Sequence, residues 1–169
     1  QYTVDGFAQF DWNPTKYFNV ITGLRFDYYS DSDINHFSPK LGLMYKIGNC
    51  SLRGSYAGGF RAPTLKEMYM NFDMASIFMI YGNPDLKPET SHNFSLSAEY
   101  MKGRYNLTVT GFYNVVDNRI TTAWSEALKG QVYTNISNIR ISGAEANASV
   151  KYPCGLSARL SYALSLIHI

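Results

Sequence analysis

Apolar and polar residues alternate along almost the whole of this 169-residue chain, and this period of two constrains the fold more than any other feature. Successive side chains of a β-strand point to opposite faces, so such alternation predicts strands with one apolar and one polar face. Eight runs show it, at residues 3–12, 17–29, 37–46, 51–60, 92–101, 105–116, 132–152 and 156–164. The sequence therefore predicts an all-β fold of about eight strands.

The links between these runs are alternately short and long. The short links are 13–16, 47–50, 102–104 and 153–155, and the long links are about 30–36, 61–91 and 117–131. Outer-membrane barrels have tight periplasmic turns at one end of their strands and long extracellular loops at the other. The link lengths therefore predict a segment of an antiparallel transmembrane β-barrel.

Aromatic residues, which make up 15% of the chain, mark both ends of the apolar faces. One row lies just before the short links and a second row near the long links: Trp12, Tyr45, Tyr100 and Tyr152, then Tyr28, Phe37, Phe60 and Tyr113. Amphipathic rings suit the headgroup zone, so two rows that bracket an apolar band indicate the two membrane interfaces.

The polar faces carry charges, which favour a wet interior. These residues are Asp5, Arg25, Asp27, Arg53, Glu99, Glu145 and Arg159. Unpaired in a dry core, each would cost on the order of several kcal/mol. A soluble β-sandwich binding module is therefore the weaker alternative. A complete eight-stranded outer-membrane barrel, acting as an adhesin or a lipid-modifying enzyme, is the nearer alternative, but its first and last strands would have to pair.

Several other classes of protein are disfavoured. A net charge of +2 without a Lys/Arg cluster does not suit nucleic acid, and no apolar run is long enough for a membrane helix. The start of the chain does not resemble a signal peptide, which is expected of an internal piece. Cys50 and Cys154 have no metal-ligand neighbours, and no nucleophile–base pair or phosphate loop occurs. We therefore expect no metal site and no enzymatic activity.

Two sequence motifs, here called boxes, lie at the two ends of the 61–91 link. The first contains Phe60, Arg61, Ala62 and Pro63, and the second contains Asn83, Pro84, Leu86, Pro88 and Glu89. In order and spacing they resemble the FRAP and NPDL boxes of TonB-dependent outer-membrane receptors. Further stretches resemble the same family: G-x-R-x-D at 23–27, S-P-K-L-G at 38–42, D-N-R-I at 117–120, Y-x-N at 133–135 and G-x-E at 143–145. The resemblance covers residues 1–164.

The resemblance implies a location in the outer membrane of a Gram-negative bacterium and a barrel of about twenty-two strands, of which this chain supplies about eight. It also implies active import of a scarce nutrient: a ferric siderophore, haem or a cobalamin-like ligand. The inner-membrane TonB complex would be the partner, through a plug domain outside this chain, with the lipid bilayer around the wall. No resident cofactor is implied, although the cargo would be haem or another iron chelate. Residues 165–169 leave the pattern and are predicted to be a non-native or truncated tail.

The two boxes have physical roles that need no ligand. Pro63 has no N–H to donate and should end its strand. Pro84 and Pro88 should stiffen the returning arm, which is the second box where the chain leads into the next strand. Arg61 and Glu89 are predicted to pair across the two arms. These residues are therefore expected to fix the base of an extracellular loop.

The loop between the boxes is rich in aromatic and thioether side chains, which suit a flat apolar ligand such as haem. The candidate ligand-binding residues are Tyr69, Met70, Phe72, Met74, Phe78, Met79 and Tyr81. The favoured alternative is an amphipathic element that packs on its own loop. Haem-uptake members of the family carry a histidine between the boxes. This chain has none there, and the nearest are His36 and His92, which weakens the haem interpretation.

Overall fold

A computed structural model describes residues 2–30, 34–74 and 77–168, which are almost all in β-strands. The elements are β1 (Thr3–Thr15), β2 (Phe18–Tyr29), β3 (Ile34–Ile47), β4 (Cys50–Arg61), α1 (Leu65–Tyr69), β5 (Phe72–Met74), β6 (Phe78–Tyr81), β7 (Glu89–Lys102), β8 (Tyr105–Ser125), β9 (Gly130–Lys151) and β10 (Ser157–His168). The eight predicted strands are confirmed. Strands β5 and β6 are additional and lie within the long link between the boxes.

The strands form one sheet in the order β1-β2-β3-β4-β7-β8-β9-β6-β5, and β10 also pairs with β9. Neighbouring long strands are antiparallel, with Ala8 opposite Leu24 in β1–β2 and Leu160 opposite Ala148 in β9–β10. Strand β9 pairs with β10 along residues 140–151 and with β6, in parallel, at residues 131 and 132. The all-β fold predicted from the alternation and the antiparallel arrangement predicted from the link lengths are confirmed.

Glycines close three of the short turns. Gly48, Gly103 and Gly155 have φ values of +58°, +58° and +86°, in the left-handed region that glycine enters without steric cost. The turns are therefore tight, as the short links predict. Cys50 and Cys154, at two of these turns, are free and exposed thiols.

The prediction of a long loop at 117–131 is wrong. Strand β8 continues to Ser125 and β9 begins at Gly130, so most of this segment is a hairpin. The run from Ile120 to Trp124 contains β-branched and aromatic residues that favour strand, whereas Asn118 with φ +53° interrupts the alternation. Strand β3 begins at Ile34, so the predicted link 30–36 is also shorter than expected; its residues 31–33 lie outside the described residues.

The chain divides into two compact units, which we call the wall unit and the loop unit. The wall unit comprises Gln1–Gly59, His92–Val115 and Arg140–Ile169, and the loop unit comprises Phe60–Ser91 and Val116–Ile139. The apolar faces of the wall unit are uncovered by protein: the side chains of Leu96 and Leu160 are 67% and 73% exposed. Bilayer lipid is the solvent that suits such a face.

Two ion pairs lie on the polar face of the wall unit. Arg53 Nη2 lies 2.8 Å from Glu99 Oε2, and Asn106 Nδ2 donates to Glu99 Oε1 at 2.8 Å. Arg25 contacts Asp27 at 2.7 Å, and Asp27 is buried. In the described part of the chain, no helix has the length and apolar character to cross a membrane.

Residues 165–168 belong to β10, where they pair with residues 140–143 of β9. Their predicted non-native origin stays a prediction, and Ile169 lies outside the described residues.

Candidate ligand-binding loop

A one-turn helix follows the first box because a proline and a capping residue come directly after β4. The strand ends at Arg61, two residues before Pro63, and Thr64 caps α1. The backbone N–H of Glu67 donates to Thr64 Oγ1 at 3.3 Å, and the backbone N–H of Thr64 donates to Glu67 Oε2 at 2.8 Å. This reciprocal capping box satisfies donors that a helix start otherwise leaves free.

Arg61 joins the helix to the second box. Its Nη1 donates to both carboxylate oxygens of Glu67 at 3.1 Å, and its Nη2 donates to Glu89 Oε1 at 2.9 Å. The predicted Arg61–Glu89 pair is therefore confirmed, and Glu67 is a second partner. The carboxylates of Glu67 and Glu89 are only 15% and 18% exposed, which makes these contacts stronger than a fully solvated pair.

Glu89 also ties the second box to β8, because its Oε1 accepts the backbone N–H of Ile120 at 2.7 Å. One carboxylate thus holds both a guanidinium and a strand amide. Charge-assisted hydrogen bonds of this kind are stronger than neutral ones. Glu89 is the point at which three segments of the loop unit meet.

These contacts shift the protonation equilibria of the cluster. The hydrogen bond to Glu89 raises the pKa of Arg61 above its ordinary value. The hydrogen bond from Arg61 lowers the pKa of Glu89, and the Ile120 amide lowers it further. Partial burial acts to raise the pKa of Glu67, but hydrogen bonds from Thr64 and Arg61 outweigh burial and leave it below its ordinary value. All three groups are therefore charged near neutral pH.

The second box is fixed by its asparagine and its leucine. Asn83 Nδ2 donates to the carbonyl of Tyr133 at 3.0 Å, and Asn83 Oδ1 accepts the N–H of Asp85 at 3.0 Å in an Asx turn. Leu86 is 6% exposed and, with Ile120 and Ile139, is one of the three hydrophobic side chains that are buried among the described residues. The box is therefore built as an anchor.

Asn135 acts as a side-chain bridge. Its Oδ1 accepts the backbone N–H of Lys87 at 2.8 Å, and its Nδ2 donates to the Lys87 carbonyl at 2.9 Å. The same Nδ2 donates to the Asn118 carbonyl at 2.6 Å. The Asn135 side chain thereby satisfies the backbone N–H and C=O of Lys87, which precedes β7 and is outside the strand ladder.

Between the boxes, β5 and β6 form a small hairpin in which Phe72 lies opposite Ile80 and Met74 opposite Phe78. Strand β6 lies very close to β9 at Gly130, where a Cβ would come within 2.5 Å of the Met79 carbonyl oxygen and 2.9 Å of the Tyr81 ring. Glycine is thus required there. Similarly, a Cβ on Gly82 would come within 2.8 Å of the Met68 backbone, so the returning arm approaches α1 closely.

The predicted ligand-binding residues fall into two groups. Tyr69, Met70 and Met74 are 63%, 52% and 47% exposed, whereas the remaining four are half-buried: Phe72, Phe78, Met79 and Tyr81. The strand period of two places Phe72, Met74 and Phe78 on one face of the hairpin and Met79 and Tyr81 on the other. The structure therefore does not bring the seven residues to a single surface.

The exposed part of the loop offers aromatic, thioether and cationic groups. Lys66 Nζ lies 4.3 Å from the centroid of the Phe72 ring, and the Phe78 ring meets Trp124 edge-on at 6.2 Å. Such a surface suits stacking on an aromatic ligand and contact with its negative charge. In the described ranges, no cluster of three or more His, Cys, Asp or Glu side chains is placed to hold a metal ion.

Sequence reasoning missed the roles of Glu67, Asn135 and Gly130. The first had a readable signal, because Thr64 and Glu67 have the spacing of a capping box before an apolar helix. Asn135 and Gly130 had none, since their partners come from segments about fifty residues away in the chain.

Comparison with known proteins agrees with this architecture. The family model described as TonB dependent receptor-like, beta-barrel matches residues 1–167. An iron-regulated outer membrane virulence protein of Vibrio cholerae is 32% identical, over 96% of this chain and 27% of its own length. A hemoglobin and hemoglobin-haptoglobin-binding protein of Haemophilus influenzae is 38% identical, over 53% of this chain and 8% of its own length.

Among solved structures, the siderophore receptor PirA from Pseudomonas aeruginosa superposes with a TM-score of 0.79 at 23% identity, covering 96% of this chain and 32% of that protein. That likeness establishes the fold. The chain spans about a quarter of the length of the Vibrio cholerae relative. On the family match over nearly its whole length, the chain belongs to the TonB-dependent receptor-like β-barrel family and forms part of a barrel in the outer membrane of a Gram-negative bacterium.

Proposed function

We propose that this chain supplies part of the wall and one extracellular loop of an outer-membrane transporter that actively imports an iron chelate. The observation that carries the proposal is the exposure of the Tyr69, Met70 and Met74 side chains in this loop. The base of the loop is fixed by the contacts of Arg61 with Glu67 and Glu89. Energy would come from the inner-membrane TonB complex through a plug domain. A barrel of about twenty-two strands, as the family resemblance implies, belongs to this proposal.

A ferric siderophore is the cargo that this loop suits best. Tyr69, the last residue of α1, is the most exposed aromatic residue described in the loop unit, and Lys66 lies above the Phe72 ring. An aromatic, negatively charged chelate can stack on the rings while its charge faces the lysine. The Vibrio cholerae relative, whose name records regulation by iron, supports an iron chelate as the cargo.

Haem is the second candidate. Tyr69 and Met70 are adjacent and both exposed, and phenolate and thioether are known ligand types for haem iron. The Haemophilus influenzae relative is named for binding haemoglobin. Against haem stands the absence of a histidine between residues 60 and 91. A cobalamin-like ligand has no specific contact in its favour.

The test is uptake by the intact receptor in cells that lack their own transporters for each ligand. Radioactive ferric siderophores, haem and cobalamin are offered to the parent, to Tyr69→Ala and to Tyr69→Phe. We expect siderophore uptake that falls at least about fivefold in Tyr69→Ala and is nearly unchanged in Tyr69→Phe, because stacking needs the ring and not the hydroxyl. If both variants lose haem uptake, the cargo would be haem, and the Tyr69 oxygen would be a ligand of its iron.

Tyr81→Phe is the matched control. Its ring packs at Gly130, so loss of its hydroxyl should leave uptake unchanged. Uptake of none of these ligands by a correctly inserted parent would contradict the proposed function. If Tyr69→Ala leaves siderophore uptake unchanged, the transport function stands, but this loop does not bind the ligand through Tyr69.

A further inference from the structure

The lipid-facing side of the wall unit has a groove near its short-turn end. Its volume is about 430 Å³, and it is formed by three neighbouring strands, β8, β9 and β10. Its apolar lining comprises Tyr105, Leu107, Ala148, Val150, Ala158 and Leu160. The alanines open the groove between the larger residues, and the exposed side chains of Leu107 and Leu160 flank it. A cleft of this shape and polarity suits one acyl chain.

Two cationic side chains lie at the short turn nearest to this groove. Lys102 and Arg104 flank Gly103, whose left-handed φ of +58° makes the turn between β7 and β8 tight. The Arg104 guanidinium carbon lies 5.8 Å from the centroid of the ring of Tyr152, the residue that directly follows β9. In the described part of the chain, neither cation belongs to an ion pair with a carboxylate.

Cations outnumber carboxylates in the sequence around this turn. Residues 99–116 and 146–169 include Lys102, Arg104, Lys151 and Arg159 and one acidic residue, Glu99, whose carboxylate already pairs with Arg53 and accepts from Asn106. Tyr100, Tyr105 and Tyr152 surround the turn and mark the membrane interface. Cations at headgroup depth attract anionic lipids. The short turns of such barrels are periplasmic, so the lipid available there belongs to the inner leaflet.

We propose that this groove and the Lys102–Gly103–Arg104 turn form a binding site for one anionic phospholipid of the inner leaflet. One acyl chain lies along Leu107, Ala148 and Leu160, and the phosphate contacts Arg104 and Lys102. The site lies on the barrel wall, away from the loop unit's ligand surface in sequence, and it does not depend on which cargo the receptor imports. Its role is to fix the depth and orientation of this part of the wall.

Native mass spectrometry of the intact receptor in detergent tests the proposal, with phosphatidylglycerol and phosphatidylcholine of identical acyl chains as the probes. The double variant Lys102→Gln/Arg104→Gln should lose about tenfold or more in phosphatidylglycerol affinity, with little change for phosphatidylcholine. Arg104→Lys should retain most of the affinity because the charge remains. Ala148→Phe should weaken both lipids, because its ring fills the groove.

Lys16→Gln is the matched control. Lys16 is another cation at a short turn, 4.9 Å from the Tyr17 ring centroid, but it lies outside the groove. An equal loss in this variant would mean that only the general charge of the rim matters, which overturns the site. Unchanged phosphatidylglycerol binding in the double variant would also overturn the proposed site. An acidic periplasmic protein would then be the better partner for the two cations. Circular dichroism and heat-dependent gel mobility establish that each variant is a folded barrel.

Discussion

The wall unit and the loop unit are stabilised in opposite ways. In the wall unit, long strands share continuous backbone ladders, and large apolar side chains such as Leu96 remain exposed on the lipid side. In the loop unit, Leu86, Ile120 and Ile139 are buried, and single side chains hold the backbone together. The wall therefore distributes its stability over many equivalent contacts, whereas the loop depends on a few.

This difference has a functional consequence. A barrel wall must tolerate varied lipid contacts, so no single side chain needs to be decisive. A loop that presents a ligand surface must hold a particular shape, which it does here through Arg61, Glu89 and Asn135. Side-chain-to-backbone hydrogen bonds of this kind fix geometry where regular strand pairing ends.

The largest contrast is expected between two leucine truncations. Leu86→Ala removes a 6% exposed side chain from the loop unit and should destabilise it locally by about 2–4 kcal/mol. Leu96→Ala removes a 67% exposed, lipid-facing side chain and should leave the loop unchanged. Limited proteolysis of the intact receptor measures the effect, and loop cleavage should be at least about tenfold faster in Leu86→Ala. Equal cleavage rates would erase the proposed difference between the units.

Acid should open the loop unit before it affects the wall. Both Glu67 and Glu89 have a pKa lowered below the ordinary value in the folded loop. A lowered pKa contributes stability that is fully present above the unfolded-state value, about 4.3, and that is lost as pH falls through the folded-state value. Proteolysis with an acid-active protease should therefore accelerate below about pH 4.3. The variant Glu67→Gln/Glu89→Gln should be less stable at pH 7 and should show a smaller acid effect; an unaltered pH profile would contradict this assignment.

A matched pair of carboxylate substitutions sharpens the comparison further. Glu89→Gln weakens the contacts with Arg61 and with the Ile120 N–H, and should cost about 1–2 kcal/mol in the loop unit. Glu99→Gln weakens the wall's contact with Arg53, in a strand whose backbone ladder remains. Hydrogen exchange at the Ile120 amide should accelerate in Glu89→Gln alone. Acceleration in both variants would show that the two units respond together.

The two units also differ in how far their structure follows from the sequence. Wall strands were predictable because alternation fixes their faces, and the short turns between them then set the register, as at Ala8 opposite Leu24. The tight turns were predictable because Gly48, Gly103 and Gly155 supply the positive φ that they need. Local rules were sufficient there, since each strand pairs with its neighbour in the chain for most of the sheet.

Only part of the loop unit could be predicted from local sequence. Arg61 and Glu89 could be paired from the order of the two boxes, and the capping box of Thr64 was readable. The parallel pairing of Ile80 with Gln131 and the bridge from Asn135 to Lys87 depend on tertiary position, which neither residue's neighbours encode. The hairpin's two faces likewise follow from its register. That register separates Tyr81 from Phe72, although the sequence placed both in one apolar patch.

The smallest expected effect is at the cap of α1. Thr64→Ala removes the side-chain bonds with Glu67, but the Thr64 backbone N–H and Arg61 still hold the Glu67 carboxylate. A lost N-cap costs about 0.5–1 kcal/mol when other contacts remain, so the five-residue helix should fray without release of the loop base. Exchange of the Met68 amide, which donates to the Thr64 carbonyl, should rise about two- to fivefold while the Ile120 amide stays protected. Thr64→Ser should restore protection, because serine caps as well as threonine does. Thr64→Ala could instead accelerate exchange of the Ile120 amide as strongly as Glu89→Gln does. In that case α1 and the second box would unfold together. The loop unit would then depend on the whole cluster of Arg61, Glu67 and Glu89 and not on Glu89 alone.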